Sequence, residues 1–319
     1  LNDNWTSSQT RRLRKELGKK PRRKSFVVIC EGSCRGGKGN LHMKVYAFSQ
    51  TGAATKVIMS GSSNLTDRAV SLQWNDQITF NSTPGLYDAF IPLFNQLKFD
   101  KRVATRRVTY TNGAFDALFY KDSAGASAAA DAGKVTTERF AKVPPPSKDP
   151  VLIRLKNVDC KAKPGYGSGG KTVIRIIMYG WNKERGKYLA DQVASMKRAG
   201  CKIAVITSVA GGEVVRKLNA ARIPLKSADY DYITNLVTEE ETVNFYSHLK
   251  VMTLDGTYLG KGTRTIWTGS ENWSGTSFLN DELILHLTGD GIYKKYITHF
   301  RLLWKRYTHA VGVHPDYLP

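Results

Sequence analysis

One pattern occurs twice in this chain, and the repeat narrows the folds open to it more than any other feature. Residues 41–80 read LHMKVYAFSQTGAATKVIMSGSSNLTDRAVSLQWNDQITF, and residues 247–287 read SHLKVMTLDGTYLGKGTRTIWTGSENWSGTSFLNDELILHL. Each copy runs H-x-K, an apolar strand, a turn with Gly, a second strand and then G-S-x-N. From His to the Ser of G-S-x-N is 20 residues in the first copy and 22 in the second. Each copy then reaches Asn-Asp (Asn75-Asp76 and Asn280-Asp281) before a further strand.

Around the second copy the chain alternates strand and helix. Residues 171–181 and 201–208 are β-branched, apolar strand runs, and 183–200 and 211–223 have helical periodicity, the first stopping at a Gly. Such alternation implies βαβ units. Residues 151–159 are expected to form a strand ahead of them. The expected architecture is α/β: two pseudo-symmetric α/β/α halves with mixed, mostly parallel sheets packed about a pseudo-twofold axis. The first half is placed at 1–110, a linker at 111–150 and the second half at 151–319.

The first copy has a short lead-in. Residues 9–18 can serve as a helix and 24–30 as a strand, so a preceding strand and helix are expected in a longer parent chain. Residues 86–97 are expected as the helix closing the first half and 101–110 as a basic strand. The low-complexity stretch 122–134 is expected as a surface loop. In the C-terminal helix (292–307), Tyr296, Phe300 and Trp304 are expected in the core.

Spacing gives H-x-K a structural reason. In a strand, residues i and i+2 face one side, so His42 and Lys44, and likewise His248 and Lys250, point together while Met43 and Leu249 point into apolar packing. The G-S-x-N turn brings Ser62 and Asn64, or Ser270 and Asn272, alongside. Should the halves pack about a twofold axis, both sets meet at one phosphate. Phosphodiester cleavage needs a nucleophile, a proton donor for the departing oxygen, and positive charge on the non-bridging oxygens. Two His supply the first two near neutral pH, and two Lys with two Asn amides supply the third, with Ser hydroxyls assisting.

These motifs resemble the duplicated H-x-K-x4-D and G-S-x-N motifs of the phospholipase D superfamily, in wording close to secreted actinobacterial members. The second copy matches fully through Asp255, whereas Ser49 stands at that place in the first. The resemblance implies a phosphohistidine intermediate, with His42 as nucleophile and His248 as general acid, and neither a metal nor another cofactor. It implies structural support from Asp255. It also implies an acidic residue that orients a His ring: Glu282 in the second half, with Asp76 nearest in the first because Gln77 stands in the aligned place.

The net charge of +21 favours polyanionic partners: phosphate esters, anionic lipid surfaces or nucleic acid. Residues 11–24 carry nine basic side chains against one acid, as a phosphate-tracking arm or a solvated face. The leading expectation is a secreted, monomeric phospholipase D that hydrolyses the head-group phosphodiester of phospholipids at a membrane or micelle surface, with transfer to alcohols as a variant. A superfamily nuclease acting on DNA or RNA is the alternative, and an inactive polyanion-binding protein the third. Trp74, Trp181, Tyr246 and Trp273 either line a lipid-sized groove or pack the core. Cys30, Cys34, Cys160 and Cys201 fit two disulfides, 30–34 and 160–201, or four buried thiols. No zinc-ligand spacing occurs, and the apolar runs are too short to span a bilayer.

Overall fold

A computed structural model describes residues 1, 6–36, 39–101, 103, 105–113, 115–120, 134–139, 145–228 and 245–311. Helix α1 (Ser8–Leu17) is capped by Ser7 Oγ on the Thr10 amide. The first repeat forms β1 (Val45–Thr51), β2 (Ala54–Gly61), α2 (Asp67–Ser71), β3 (Gln73–Trp74) and β4 (Gln77–Phe80), followed by α3 (Pro84–Leu97). Then come β5 (Thr105–Thr111), β6 (Phe115–Tyr120), β7 (Lys134–Arg139), α4 (Pro150–Lys156) and β8 (Val158–Asp159). β9 (Val173–Trp181), α5 (Lys183–Arg198), β10 (Lys202–Ala210), α6 (Gly212–Ala220) and β11 (Leu225–Ser227) make the expected βαβαβ run. The second repeat supplies β12 (Tyr246–Ser247), β13 (Lys250–Tyr258), β14 (Lys261–Gly269) and β15 (Glu282–Thr288), and α7 (Asp290–Arg306) and β16 (His309–Ala310) follow.

The strands form a large sheet ordered β16-β11-β10-β9-β13-β14-β15-β6-β5-β7, with β8 beside β13, and a small sheet β1-β2-β4. The fold is mixed α/β, but its sheets are not mostly parallel. Among the described strands, β9–β10, β10–β11 and β12–β3 pair in parallel and the other pairs run antiparallel. Parallel neighbours need a crossover, which α5 and α6 provide; the repeats instead turn back in tight hairpins, which force antiparallel pairing. Between β13 and β14 the turn residues Leu259 (φ 49°) and Gly260 (φ 74°) are both left-handed, as a two-residue hairpin of this type demands.

Strand alternation places the core. Ile174, Ile176 and Met178 of β9 face a cluster with Leu189 and Val193 of α5, and Ile177 faces the opposite cluster with Ile297, Phe300 and Leu303 of α7. Each such buried aliphatic side chain stabilises by roughly 1.5–3 kcal/mol relative to exposure. A further cluster joins Met43 and Ile58 of the first repeat, Leu86, Phe90 and Leu93 of α3, and Leu283 and Leu285 of β15. The two repeats therefore share a core, and β14 also touches β2.

Several expectations change. Residues 111–150 hold β6, β7 and the start of α4 rather than a plain linker: β6 pairs with β15, and β5 joins β6 to β7. The expected loop 122–134 lies outside the described residues except for Lys134, which begins β7. Residues 151–159 are mostly helix. Asp149 Oδ1 accepts from the Val151 amide and Pro150 sits in the first turn, a start signal that outweighs the alternating reading of 151–156. Residues 24–29 form no strand; the Val27 amide bonds Gly18 O, and Phe26 stacks on Phe94 of α3. Among the described residues β1 pairs with β2 alone, whereas β13 is flanked by both β14 and β9. Both expected disulfides, Cys30–Cys34 and Cys160–Cys201, are formed.

Candidate active site

His42 and Lys44 lie just ahead of and below β1, and His248 and Lys250 occupy the same place on β13. Met43 and Leu249 are buried, as the alternation requires. Lys250 Nζ donates to His248 O at 2.5 Å and Lys44 Nζ to His42 O, so each ammonium is folded back beside its own histidine. The Tyr179 ring meets the His248 ring edge-on at 4.6 Å and lies under Lys250 Nζ at 4.7 Å.

The Gly of each G-S-x-N permits a close approach. A Cβ on Gly61 would stand 2.0 Å from Asp76 O, and one on Gly269 2.1 Å from Leu283 O. Equivalent positions in the two copies follow from this contact. Ser62 N bonds Asp76 O and Ser270 N bonds Leu283 O, while His248 N bonds Trp74 O and His42 N bonds Asp281 O. Asn75 therefore occupies the place of Glu282. Aligning Asn75-Asp76 with Asn280-Asp281 slips the register by two residues, whereas the equivalent positions Asn75 and Glu282 lie 13 and 12 residues after their serines.

The partners then cross between the repeats. His42 Nδ1 lies 2.9 Å from both oxygens of Glu282. His248 Nδ1 lies 2.9 Å from Ser62 O and 3.3 Å from Asn75 Oδ1. Asp76 does not orient a histidine: Oδ1 accepts from Ser62 N, and Oδ2 accepts from Thr268 Oγ1 and from Tyr296 OH at 2.7 Å, pinning the first repeat to β14 and α7. Tyr296 is thus a tether as well as a core residue. The serine hydroxyls are also committed, Ser62 Oγ to Asn75 Oδ1 and Ser270 Oγ to Glu282 Oε2 at 2.5 Å, so they brace the histidine partners rather than reach outward. Asn272 Oδ1 accepts from Gly180 N at 3.2 Å, which leaves Nδ2 as its donor end; Asn64 is half-buried in the matching loop.

Burial and charge set the protonation states. Burial lowers His42, Glu282 opposes this and Lys44 reinforces it, leaving the ring below its ordinary value. His248 falls well below, through burial and then Lys250, Lys44 and His42. Burial brings Lys44 down to about 8 against the pull of Glu282, and burial with Lys44 carries Lys250 well down. Burial would raise the Glu282 carboxyl, but His42, Lys44 and Ser270 outweigh it and hold it low. Each imidazole and each lysine therefore senses groups of the other repeat, which is the electrostatic mark of one shared, anion-seeking site.

Other candidates lie elsewhere. Asp255, five residues along β13, accepts from Gly167 N and pairs with Arg264. Trp181, Trp273 and Tyr246 are buried in packing, and half-buried Trp74 packs at a tilt against Tyr307. His286 pairs with Asp116 and stacks on Trp267. The motifs do not name Asn75 as the His248 partner, nor Tyr179 or Gly180, which join the site through contacts with His248, Lys250 and Asn272 across strands. Among the described residues no three His, Cys, Asp or Glu side chains are grouped to hold a metal ion.

Residues 169–304 match the family described as "Cardiolipin synthase, PLD-like domain". Residues 169–304 thus carry a phospholipase D-like domain. Among solved structures, the chain is similar in fold to phosphatidylserine synthase from Haemophilus influenzae Rd KW20, at 11% identity and a TM-score of 0.52, over 96% of this chain and 71% of that one. It is also similar to the phospholipase D family member Nuc from Salmonella typhimurium, at 15% identity and a TM-score of 0.34, over 50% of this chain and 90% of that one. No curated protein matches it.

Proposed function

We propose that this chain is a phospholipase D that cleaves the head-group phosphodiester of glycerophospholipids through a phosphohistidine on His42, without a metal. The observation that carries the reading is the crossed pairing of His42 with Glu282 beside His248, Lys44 and Lys250. Glu282 holds the Nδ1 proton, so Nε2 presents its lone pair to phosphorus. The P–N bond forms as the P–O bond to the head group breaks, and His248 Nε2 gives its proton to the leaving oxygen. Burial and the neighbouring lysines hold the His248 pKa well down; a phosphodiester anion between those lysines offsets the charges that depress it and lets it carry that proton. Water, or an alcohol in the transfer variant, then attacks phosphorus, its proton passing to His248 as the P–N bond breaks. Lys44, Lys250, Asn64 and Asn272 neutralise the non-bridging oxygens.

The lipid substrate is supported by the cardiolipin synthase description of the matched family. Both His-Lys sets come from one chain, which supports a monomer, and two disulfides support an oxidising, extracellular location. Among the described residues no helix is long and apolar enough to cross a membrane. A nuclease is the second reading, favoured by the exposed basic residues of 11–24. Assays on phosphatidylcholine vesicles and on plasmid DNA, each with EDTA and beside His248→Ala, separate the readings. Choline release lost in the variant supports the lipase, and nicking lost in the variant supports the nuclease. Neither activity leaves only polyanion binding.

A further inference from the structure

The disulfide loop that precedes the first repeat is locked onto the segment that holds His42. Arg35 Nε donates to Asp281 Oδ1 at 2.7 Å and Ser33 Oγ to Asp281 Oδ2 at 2.9 Å; both ion-pair side chains are fully buried. The loop itself is closed by Cys30–Cys34, and the Arg35 amide donates back to Ser33 Oγ. Asp281 sits between Glu282, which pairs with His42, and Asn280, which braces that carboxylate. Its carbonyl accepts from the amides of His42 at 3.0 Å and Met43 at 2.7 Å, and its amide donates to Asn40 O. Glu282 carries the carboxylate on His42 Nδ1, and Asn280 Nδ2 donates to that carboxylate at 2.9 Å while its Oδ1 accepts from Asn40 N.

The arrangement is one-sided. At the equivalent place beside His248 stands Trp74, whose ring packs on Tyr307 and His299 with no ion pair. A buried ion pair is a poor route to stability, since apolar residues of the same volume do as well or better. It is a good route to a fixed orientation. A carbonyl aimed at two amides and a carboxylate one residue later aimed at a ring nitrogen both depend on the rotation of the Asp281 backbone, and errors near 1 Å at a reacting group cost about 100-fold in rate.

We propose that Arg35 and Asp281, set by the Cys30–Cys34 loop, are positioning residues that fix the His42 ring and its Glu282 partner for attack. The inference rests on the proposed phosphohistidine chemistry for its rate consequence, but its geometric content stands without it.

The test compares wild type, Asp281→Asn, the apolar pair Arg35→Met with Asp281→Leu, Arg35→Lys, and Cys30→Ala with Cys34→Ala. Histidine 15N NMR follows the Nδ1 proton and titration of His42, identified by its loss in His42→Ala, with His248 as internal control. In the apolar pair the His42 Nδ1 proton is expected to lose its protection and its titration to move, with His248 unchanged and the fold retained. On a substrate that the wild type cleaves, kcat of the apolar pair is expected to fall about 100-fold with KM nearly constant, and Arg35→Lys, which keeps the charge, to fall less. Unchanged His42 resonances in the apolar pair, or in Asp281→Asn if the pair does not fold, overturn the proposal. A wild type inactive on lipid and DNA overturns the phosphodiesterase reading, while the resonances still decide the positioning role.

Discussion

His42 and Glu282 are separated by 240 residues, yet the imidazole Nδ1 lies 2.9 Å from both carboxylate oxygens. The carboxylate comes from the second repeat and the ring from the first, so neither repeat holds a complete histidine unit alone. Glu282→Gln keeps the shape but lets the amide present a donor to Nδ1, which favours the wrong tautomer. The expected outcome is a fall in kcat of about 10²–10⁴-fold with little change in KM, read by steady-state choline release.

At the equivalent position beside His248 stands Asn75, a neutral amide 3.3 Å from Nδ1. Asn75→Asp gives His248 the carboxylate that His42 already has. An adjacent negative charge favours the charged ring, so the His248 pKa is expected to rise from its depressed value. The alkaline limb of kcat should extend upward where it reports loss of the His248 proton. The pH profile of the variant against wild type checks this, and an unshifted limb contradicts it.

Two limbs are expected in kcat/KM. On the acid side His42 must be neutral to attack, and its pKa lies below the ordinary 6.5, so activity persists below that pH before failing. On the alkaline side Lys44, at about 8, loses the charge that binds phosphate. Lys44→Arg keeps its proton throughout this range, so the alkaline limb should move up or vanish while the acid limb stays. A full pH profile of both proteins is the check.

Lys250 is buried with its pKa carried well below the free value. The folded state therefore resists the charge that the unfolded chain accepts, and below the unfolded pKa this linkage opposes folding. Lys250→Met removes the penalty. It is expected to abolish activity yet raise stability by about 1–4 kcal/mol, measured by urea unfolding. A clear loss of stability would show that the Nζ bond to His248 O outweighs desolvation.

Much of this site was legible before any coordinates. H-x-K names two side chains that share a strand face, and the Gly of G-S-x-N marks where a neighbouring carbonyl comes within 2.0–2.1 Å of a would-be Cβ. Those are local constraints, settled within one or two residues by strand geometry, and they survive in the folded chain. The 183–200 and 211–223 helices and the strands between were legible for the same reason: their periodicity is local.

Partnerships across the chain were not legible. Asn75, not Asp76, stands opposite Glu282 because loop length after each Ser sets the register of the next strand, and a two-residue slip leaves the strand pattern unchanged. The strands inside 111–150 were hidden because β6 lies between β5 and β15, the latter more than 160 residues away, and β7 pairs with β5 rather than with its chain neighbour, contacts that no local periodicity records. The sequence by itself determined which side chains are candidates to carry the chemistry. Tertiary structure alone decided which of them meet, because distant contacts depend on strand register and sheet order rather than on any one segment's spacing.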